Sequence, residues 1–231
     1  MGADPNLITL PDLGAALAGL SALSAAAFGL VDSSKAFWGG ASNIGKGHIR
    51  TALTPFQDAL SSALGQDGWW PVLEANWIAG VAKADQKAKA QALIKLGLSS
   101  GNARSVAAAS HVDGKALEDA VKKLETGAAL SDADLNVLGR MNATIEAVLD
   151  AAFEAADQQY RNVCRVLAGL ICLALSLIAW WLWKATTGTE PPSIFAALAV
   201  GLLAVPFAPV AKDLTSALST AMNALKAAKK L

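Results

Sequence analysis

The chain has 231 residues, of which 54% are hydrophobic and only 16% charged, whereas about 25% are charged in ordinary soluble domains. Lys and Arg number 19, as do Asp and Glu, and the resulting zero net charge excludes a strongly basic nucleic-acid-binding protein. Two Cys exclude a disulfide scaffold. The composition favours a protein with membrane-embedded segments.

After a tail at residues 1–12, the first apolar run covers residues 13–31 and contains no charged residue. A helix of this length measures about 28 Å, which nearly spans a hydrocarbon core of about 30 Å. Small residues recur every three or four positions and let helix backbones approach closely in lipid. The alternative is an Ala-rich soluble helix. The predicted packing positions, called here the small-residue face, are Ala15, Ala18, Gly19, Ala22, Ala26 and Gly29.

A second run at residues 166–183 has no charge, with Arg165 before it and Lys184 after it. We predict a transmembrane helix here, followed by a short loop at 184–192. Three aromatic residues cluster at its end, as is typical of a belt at a membrane interface. These predicted interface residues are Trp180, Trp181 and Trp183.

A third run covers residues 193–211 and contains Pro206 and Pro209, which predict a kink or an end of the helix. Residues 212–231 then form an amphipathic pattern, which predicts a helix lying on an anionic membrane surface. A disordered basic tail is the competing interpretation. The predicted surface contacts are Lys212, Lys226, Lys229 and Lys230.

The distribution of basic residues predicts the orientation. Residues 1–12 carry no Lys or Arg, which also argues against a secretory signal peptide. Basic residues are concentrated in 32–165 and after residue 211, so the positive-inside rule places both segments in the cytoplasm. The N-terminus and the 184–192 loop are then outside. We predict a multi-pass protein of a bacterial-type inner membrane.

The 32–165 segment has helical periodicity throughout, and no alternating β pattern is seen, so the predicted fold class is all-α. Helix starts are predicted at Thr54, Asp113 and Ser131, each in a capping pattern. No Pro occurs between Ser131 and Pro191, so one helix of about 78 Å over 132–183 is possible on sequence grounds. That helix would join a cytoplasmic helical bundle to the second span as a stalk.

Residues 40–47 resemble the start of a phosphate-binding P-loop, because Gly40 and Gly45-Lys46 have the spacing of G-x-x-x-x-G-K-[ST]. Gly47 stands where the motif needs a hydroxyl for Mg²⁺, and no buried strand precedes the segment. We therefore interpret 40–47 as a flexible linker, with Lys46 as a basic residue flanking the membrane.

Residues 106–127 resemble a helix-turn-helix of the Cro/repressor kind over less than a tenth of the chain. The second predicted helix exposes Glu118 and Asp119, whereas contact with phosphates needs basic residues. A corner of a helical bundle is the preferred interpretation, and no nucleic-acid partner is expected.

Three tryptophans, Trp69, Trp70 and Trp77, suit either core packing or a helix on the membrane surface. His48 and His111 are isolated in sequence. Cys164 and Cys172 lie eight positions apart on one predicted helix, too far apart to form a disulfide. No arrangement of acid, base and nucleophile is seen, so neither enzyme activity nor a cofactor, metal or small-molecule substrate is expected.

The sequence thus predicts three transmembrane helices and a cytoplasmic α-helical domain in a non-catalytic membrane anchor, scaffold or small subunit of a larger assembly. Its partners would be the lipid bilayer and either a second copy or another protein. The main alternative is a homo-oligomeric channel or pore-forming effector. A membrane-tethered DNA-binding regulator is a third hypothesis, which depends on the helix-turn-helix resemblance.

Overall fold

The computed structural model describes residues 10–34 and 40–205, with side chains at 16–34, 40–183 and 185–205. Within these ranges the chain is helical and has no β-strand, which confirms the predicted all-α fold class. The helices are α1 (Leu10–Ser33), α2 (Lys46–Leu53), α3 (Gln57–Leu64), α4 (Trp69–Ile78), α5 (Lys83–Leu96), α6 (Ala103–Ser110), α7 (Gly114–Thr126), α8 (Asp132–Thr187) and α9 (Ile194–Ala204).

The chain divides into two compact units. Unit 1 consists of Met1–Ala41 and Asn162–Leu231, and unit 2 is Ser42–Arg161. The described helices of unit 1 are α1, α9 and the second part of α8. Unit 2 contains α2 to α7 and the first part of α8.

The longest helix, α8, has 56 residues and confirms the continuous helix predicted over 132–183. Its start is the predicted capping box. The backbone N–H and hydroxyl of Ser131 donate to Oδ2 of Asp134 at 2.7 and 2.6 Å, and the N–H of Asp134 donates back to the Ser131 hydroxyl at 3.3 Å. The helix ends at Thr187 rather than at residue 183, so the predicted 184–192 loop begins a turn later.

In unit 2, α8 contributes a row of buried side chains at spacings of three or four residues to the main core. These are Val137, Met141, Ile145, Leu149, Phe153 and Ala156. The near-heptad pattern of the sequence predicts a similar seam on this helix. Its members Ile145, Leu149, Ala152 and Ala156 are buried, whereas Leu138 and Val163 are only partly buried.

The predicted helix starts had different outcomes. Asp113 caps α7 as predicted, because its carboxylate accepts the N–H of Ala116 at 2.7 Å. Thr54 is not a cap, and that prediction is wrong. Its hydroxyl donates to the carbonyl of Arg50 at 2.8 Å, because α2 continues directly into a 3₁₀ turn at Thr54–Phe56.

Candidate functional site

The apolar helices of unit 1 are the first candidate site. By length and composition, α1 and α8 are each long and apolar enough to cross a bilayer. The described part of the third run, α9, has 11 residues, which is fewer than a full span requires. Pro206 and Pro209, like Lys212, Lys226, Lys229 and Lys230, lie outside the described residues.

Small side chains form the interior of unit 1. Ala27 of α1, Cys172 of α8 and Ala204 of α9 form one fully buried cluster, with Leu20, Leu23 and Ile171 packed around it. Each helix thus contributes one small residue to the point where the three meet. Close approach of this kind holds helices together where lipid supplies no hydrophobic drive between them.

A buried hydroxyl links α1 to α9. Ser24 is fully buried, and its hydroxyl donates to the carbonyl oxygen of Ala204 and lies 2.8 Å from that of Leu20. A polar group in an apolar interior needs such a partner, because an unpaired hydroxyl there costs free energy. The bond to Ala204 is between helices, so it fixes the position of α9 along α1.

The contact between α8 and α9 depends on a glycine. A Cβ added at Gly201 would lie 2.7 Å from Oγ of Ser176 and 3.0 Å from Cα of Leu173. The backbone of α9 therefore approaches α8 more closely than any residue with a side chain allows. Ser176 itself is buried and donates to the carbonyl of Leu173 at 2.9 Å.

Large apolar side chains cover the outside of the same helices. Phe195, for example, is 78% exposed. In water such an apolar surface, extending over three helices, is unfavourable. The exposed large residues of unit 1 include Leu17, Leu30, Val166, Leu170, Ile178, Val200, Leu202 and Leu203.

The small-residue face does not form the packing within unit 1. The side chain of Ala15 is outside the description, and Ala18, Gly19, Ala22, Ala26 and Gly29 are exposed. A Cβ at Gly19 or Gly29 would meet no atom of the described residues within 4 Å. The buried residues among positions 16–33 of α1 are instead Ser24, Ala27 and Val31. Packing of the small-residue face against a second chain stays a prediction.

Two of the three predicted interface tryptophans secure the turn between α8 and α9. The indole N–H of Trp180 donates to the carbonyl of Pro192 at 2.7 Å, and that of Trp183 donates to the hydroxyl of Thr189 at 3.1 Å. Trp181 is 66% exposed. A contact of these rings with lipid headgroups stays a prediction, but the structure adds a role in the turn.

The glycine-rich segment at residues 40–47, which runs from unit 1 into unit 2, has helical structure and side-chain contacts and is not the flexible linker that the sequence predicts. Gly40–Asn43 is a 3₁₀ helix. Lys46 forms an ion pair with Glu74 and donates to Oδ1 of Asn43 at 2.9 Å. The Lys46 ammonium thus has side-chain partners. These partners explain the lysine of the P-loop-like pattern, and no nucleotide is needed for that explanation.

The tryptophan cluster belongs to the core of unit 2. Trp69 is 7% exposed and is part of the main core. Trp70 packs edge-on against Trp69 at 5.8 Å between ring centroids, and Trp77 lies 6.3 Å from Phe153 of α8. Core packing is therefore confirmed, rather than an interfacial helix.

The helices that resemble a helix-turn-helix, α6 and α7, pack against each other. Between them, His111 adopts a left-handed conformation with φ of 53°. Hydrogen bonds from Lys122 and Arg104 lower the pKa of Glu118, so both cations are paired with a carboxylate on the same surface. This pairing reduces the positive charge available for phosphate contact.

The remaining residues singled out from the sequence are two histidines and two cysteines. His48 and His111 are exposed, and Cys164 and Cys172 are buried and are not joined by a disulfide. Among residues 10–34 and 40–205, no group of three His, Cys, Asp or Glu could hold a metal ion.

No protein-family model, curated protein or solved structure matches the chain.

Proposed function

We propose that this protein is a non-catalytic integral membrane protein whose unit 1 spans a bilayer and whose unit 2 is a helical domain held at that bilayer. The observation that carries the proposal is the arrangement of unit 1, with small residues and a paired hydroxyl inside and large apolar side chains outside. That arrangement satisfies the demands of lipid, in which polar groups need internal partners.

The proposed orientation has the N-terminus and the α8–α9 turn outside and unit 2 in the cytoplasm of a bacterial-type cell. The excess of basic residues in 32–165 and after residue 211 supports it. In this arrangement the third run crosses the membrane as far as residue 211.

The proposed role is that of an anchor, scaffold or small subunit of a larger assembly. The all-helical unit 2 offers a folded surface for a partner. One observation favours the alternative of a homo-oligomeric channel or pore-forming effector. The small-residue face of α1 is exposed in the single chain, so it is available to a second copy.

Cysteine labelling in intact bacterial cells tests the orientation. Glu190, in the α8–α9 turn, and Lys115, on α7, are both exposed. We expect a membrane-impermeant maleimide to label an E190C variant in intact cells and to label K115C only after lysis. Labelling of K115C in intact cells would overturn the orientation, and recovery of both variants in the soluble fraction would overturn the membrane assignment.

The mass of the particle solubilised in detergent separates the two roles. A particle that contains a different bound protein supports the anchor or scaffold. A ring composed of this chain alone supports the pore and contradicts the proposed role.

A further inference from the structure

The segment that begins unit 2 is attached mainly through polar and backbone contacts. Residues 42–46, called here the strap, directly follow the point at which the chain passes from unit 1 into unit 2. Two helices of unit 2 hold the strap: α4 through hydrogen bonds and an ion pair, and α8 through a backbone contact.

The contacts from α4 come from Glu74 and Trp77, which lie three positions apart and so share one side of the helix. The indole N–H of Trp77 donates to the carbonyl of Ser42 at 2.8 Å and lies 3.3 Å from that of Ile44. Glu74 forms the ion pair with Lys46. One turn of α4 therefore holds both ends of the strap.

The contact with α8 requires a glycine. Gly45 has φ of 90°, and an added Cβ would lie 2.4 Å from the carbonyl oxygen of Ala156 and 3.1 Å from the Trp77 ring. Backbone at positive φ and a contact this close both exclude an ordinary side chain. The position of the strap on α8 thus depends on Gly45, whereas Gly47, one helical position beyond the strap, meets no atom within 4 Å.

The strap contributes nothing to the main core of unit 2, whose first member in chain order is Ile49. Apart from the contact of Gly45 with Ala156 and the Trp77 ring, it is held by polar groups, and the ion pair is partly open to solvent, with side-chain exposures of 30% for Lys46 and 26% for Glu74. Segments with few buried apolar contacts open at a lower free energy than the core that they cover.

We propose that the strap is a latch. In the closed state it fastens the first connection between the units to α4 and α8, and in the open state it leaves them while the core of unit 2 stays folded. Release lengthens the tether between α1 and unit 2. This device works within unit 2 and does not depend on the proposed membrane role of unit 1.

Thiol labelling of the full chain in detergent micelles measures the opening. Ser42 is 7% exposed and Ala120, in the core on α7, is fully buried. The variants S42C and A120C therefore report opening of the strap and of the core, respectively, with each label located by peptide mass spectrometry. The probes are compared in the natural sequence and with Gly45→Ala, Gly47→Ala or Trp77→Phe added.

We expect S42C to be labelled about tenfold faster with Trp77→Phe, which removes a hydrogen bond to the strap. The increase should be at least as large with Gly45→Ala, because the added Cβ would clash with the carbonyl oxygen of Ala156. Gly47→Ala should leave the rate unchanged, and A120C should keep its rate in every background. Equal acceleration of both probes would overturn the proposal, since the strap would then open only with the core. An S42C rate that is the same for Gly45→Ala and Gly47→Ala would also overturn it.

Charge reversal tests the ion pair separately. Lys46→Glu should accelerate labelling of S42C, and the double change Lys46→Glu with Glu74→Lys should restore the slower rate. A double variant that labels as fast as Lys46→Glu would contradict a role of this pair in closing the latch.

Discussion

The two units are both helical, yet they bury opposite kinds of side chain. Unit 2 encloses large residues such as Phe56, Ile94 and Phe153, which are removed from solvent almost completely. The described part of unit 1 encloses mostly small ones, among them Ser24, Ala27 and Cys172, while many of its large residues, such as Phe195, are exposed. A core formed in water gains from every large apolar side chain that it buries. Helices in lipid gain instead from close backbone approach, which small residues allow.

The largest expected difference in the effect of a substitution on stability is between two phenylalanines, one in each unit. Phe153 is buried in the core of unit 2, and Phe195 of unit 1 is 78% exposed. Phe153→Ala should lower the free energy of unfolding of unit 2 by about 3–5 kcal/mol, because it leaves a cavity. Phe195→Ala should leave that free energy unchanged. Chemical denaturation in detergent micelles measures both, and equal losses would remove the distinction between the units.

The next largest difference in stability is expected between substitutions of two glycines within unit 1. Gly201→Ala should separate α9 from α8 and destabilise unit 1 by about 1–3 kcal/mol, since Ser176 and Leu173 leave no room for a Cβ. Gly19→Ala is the matched control, because no atom of the described residues lies within 4 Å of its Cβ position. Thermal unfolding in detergent distinguishes them. A Gly19→Ala variant as unstable as Gly201→Ala would contradict the described packing of α1.

The buried hydroxyl of unit 1 is expected to have a smaller effect. Ser24→Ala removes the hydrogen bond to Ala204 and should cost about 0.6 kcal/mol, the average for such bonds between membrane helices. Ser21 is only half-buried, so Ser21→Ala serves as the control on the same helix. Resistance to unfolding by SDS measures the difference. A more stable Ser24→Ala variant would show that the hydroxyl does not hold α1 to α9.

In unit 2, an acidic residue at the start of α8 makes the free energy of unfolding depend on pH. Hydrogen bonds from Lys123 and Ser131 lower the pKa of Asp134 from 3.8 to about 2. The folded protein binds a proton at Asp134 less readily than the unfolded chain does. The stabilisation that ionised Asp134 gives to the folded state is therefore complete above pH 3.8 and is lost as pH falls towards 2. Asp134→Asn should make acid unfolding, followed by circular dichroism, less steep over this interval. An unchanged slope would show that Asp134 does not contribute.

Local features were predictable from sequence, and those that depend on distant parts of the chain were not. The cap at Asp113 and the Ser131–Asp134 box involve residues three positions apart, so their pattern is visible in the sequence. The continuous α8 was predictable because no Pro interrupts it. The failure at Thr54 arose because the preceding helix uses its hydroxyl.

The packing of unit 1 and the contacts of the strap could be recognised only from the folded structure. Gly19 and Gly201 look equivalent in an apolar run, and only the position of α8 makes Gly201 indispensable. Likewise, Gly45 and Lys46 suggest a phosphate loop until Ala156 and Glu74 are seen beside them. A row at 20, 23, 24 and 27 on α1 was the available signal for the buried face, but smaller residues on the opposite side obscured it.

The proposal that unit 1 lies in a bilayer and unit 2 in water is tested most directly by comparing the surroundings of one exposed apolar residue from each unit. Phe195 of unit 1 and Leu96 of unit 2 are 78% and 72% exposed. Spin labels on F195C and L96C, in chains reconstituted into phospholipid vesicles, report whether oxygen or a water-soluble nickel chelate collides with each site. We predict that oxygen relaxes the label at 195 and that the nickel chelate relaxes the label at 96. Strong relaxation of both labels by the nickel chelate would place both surfaces in water and contradict the proposal that unit 1 lies in a bilayer.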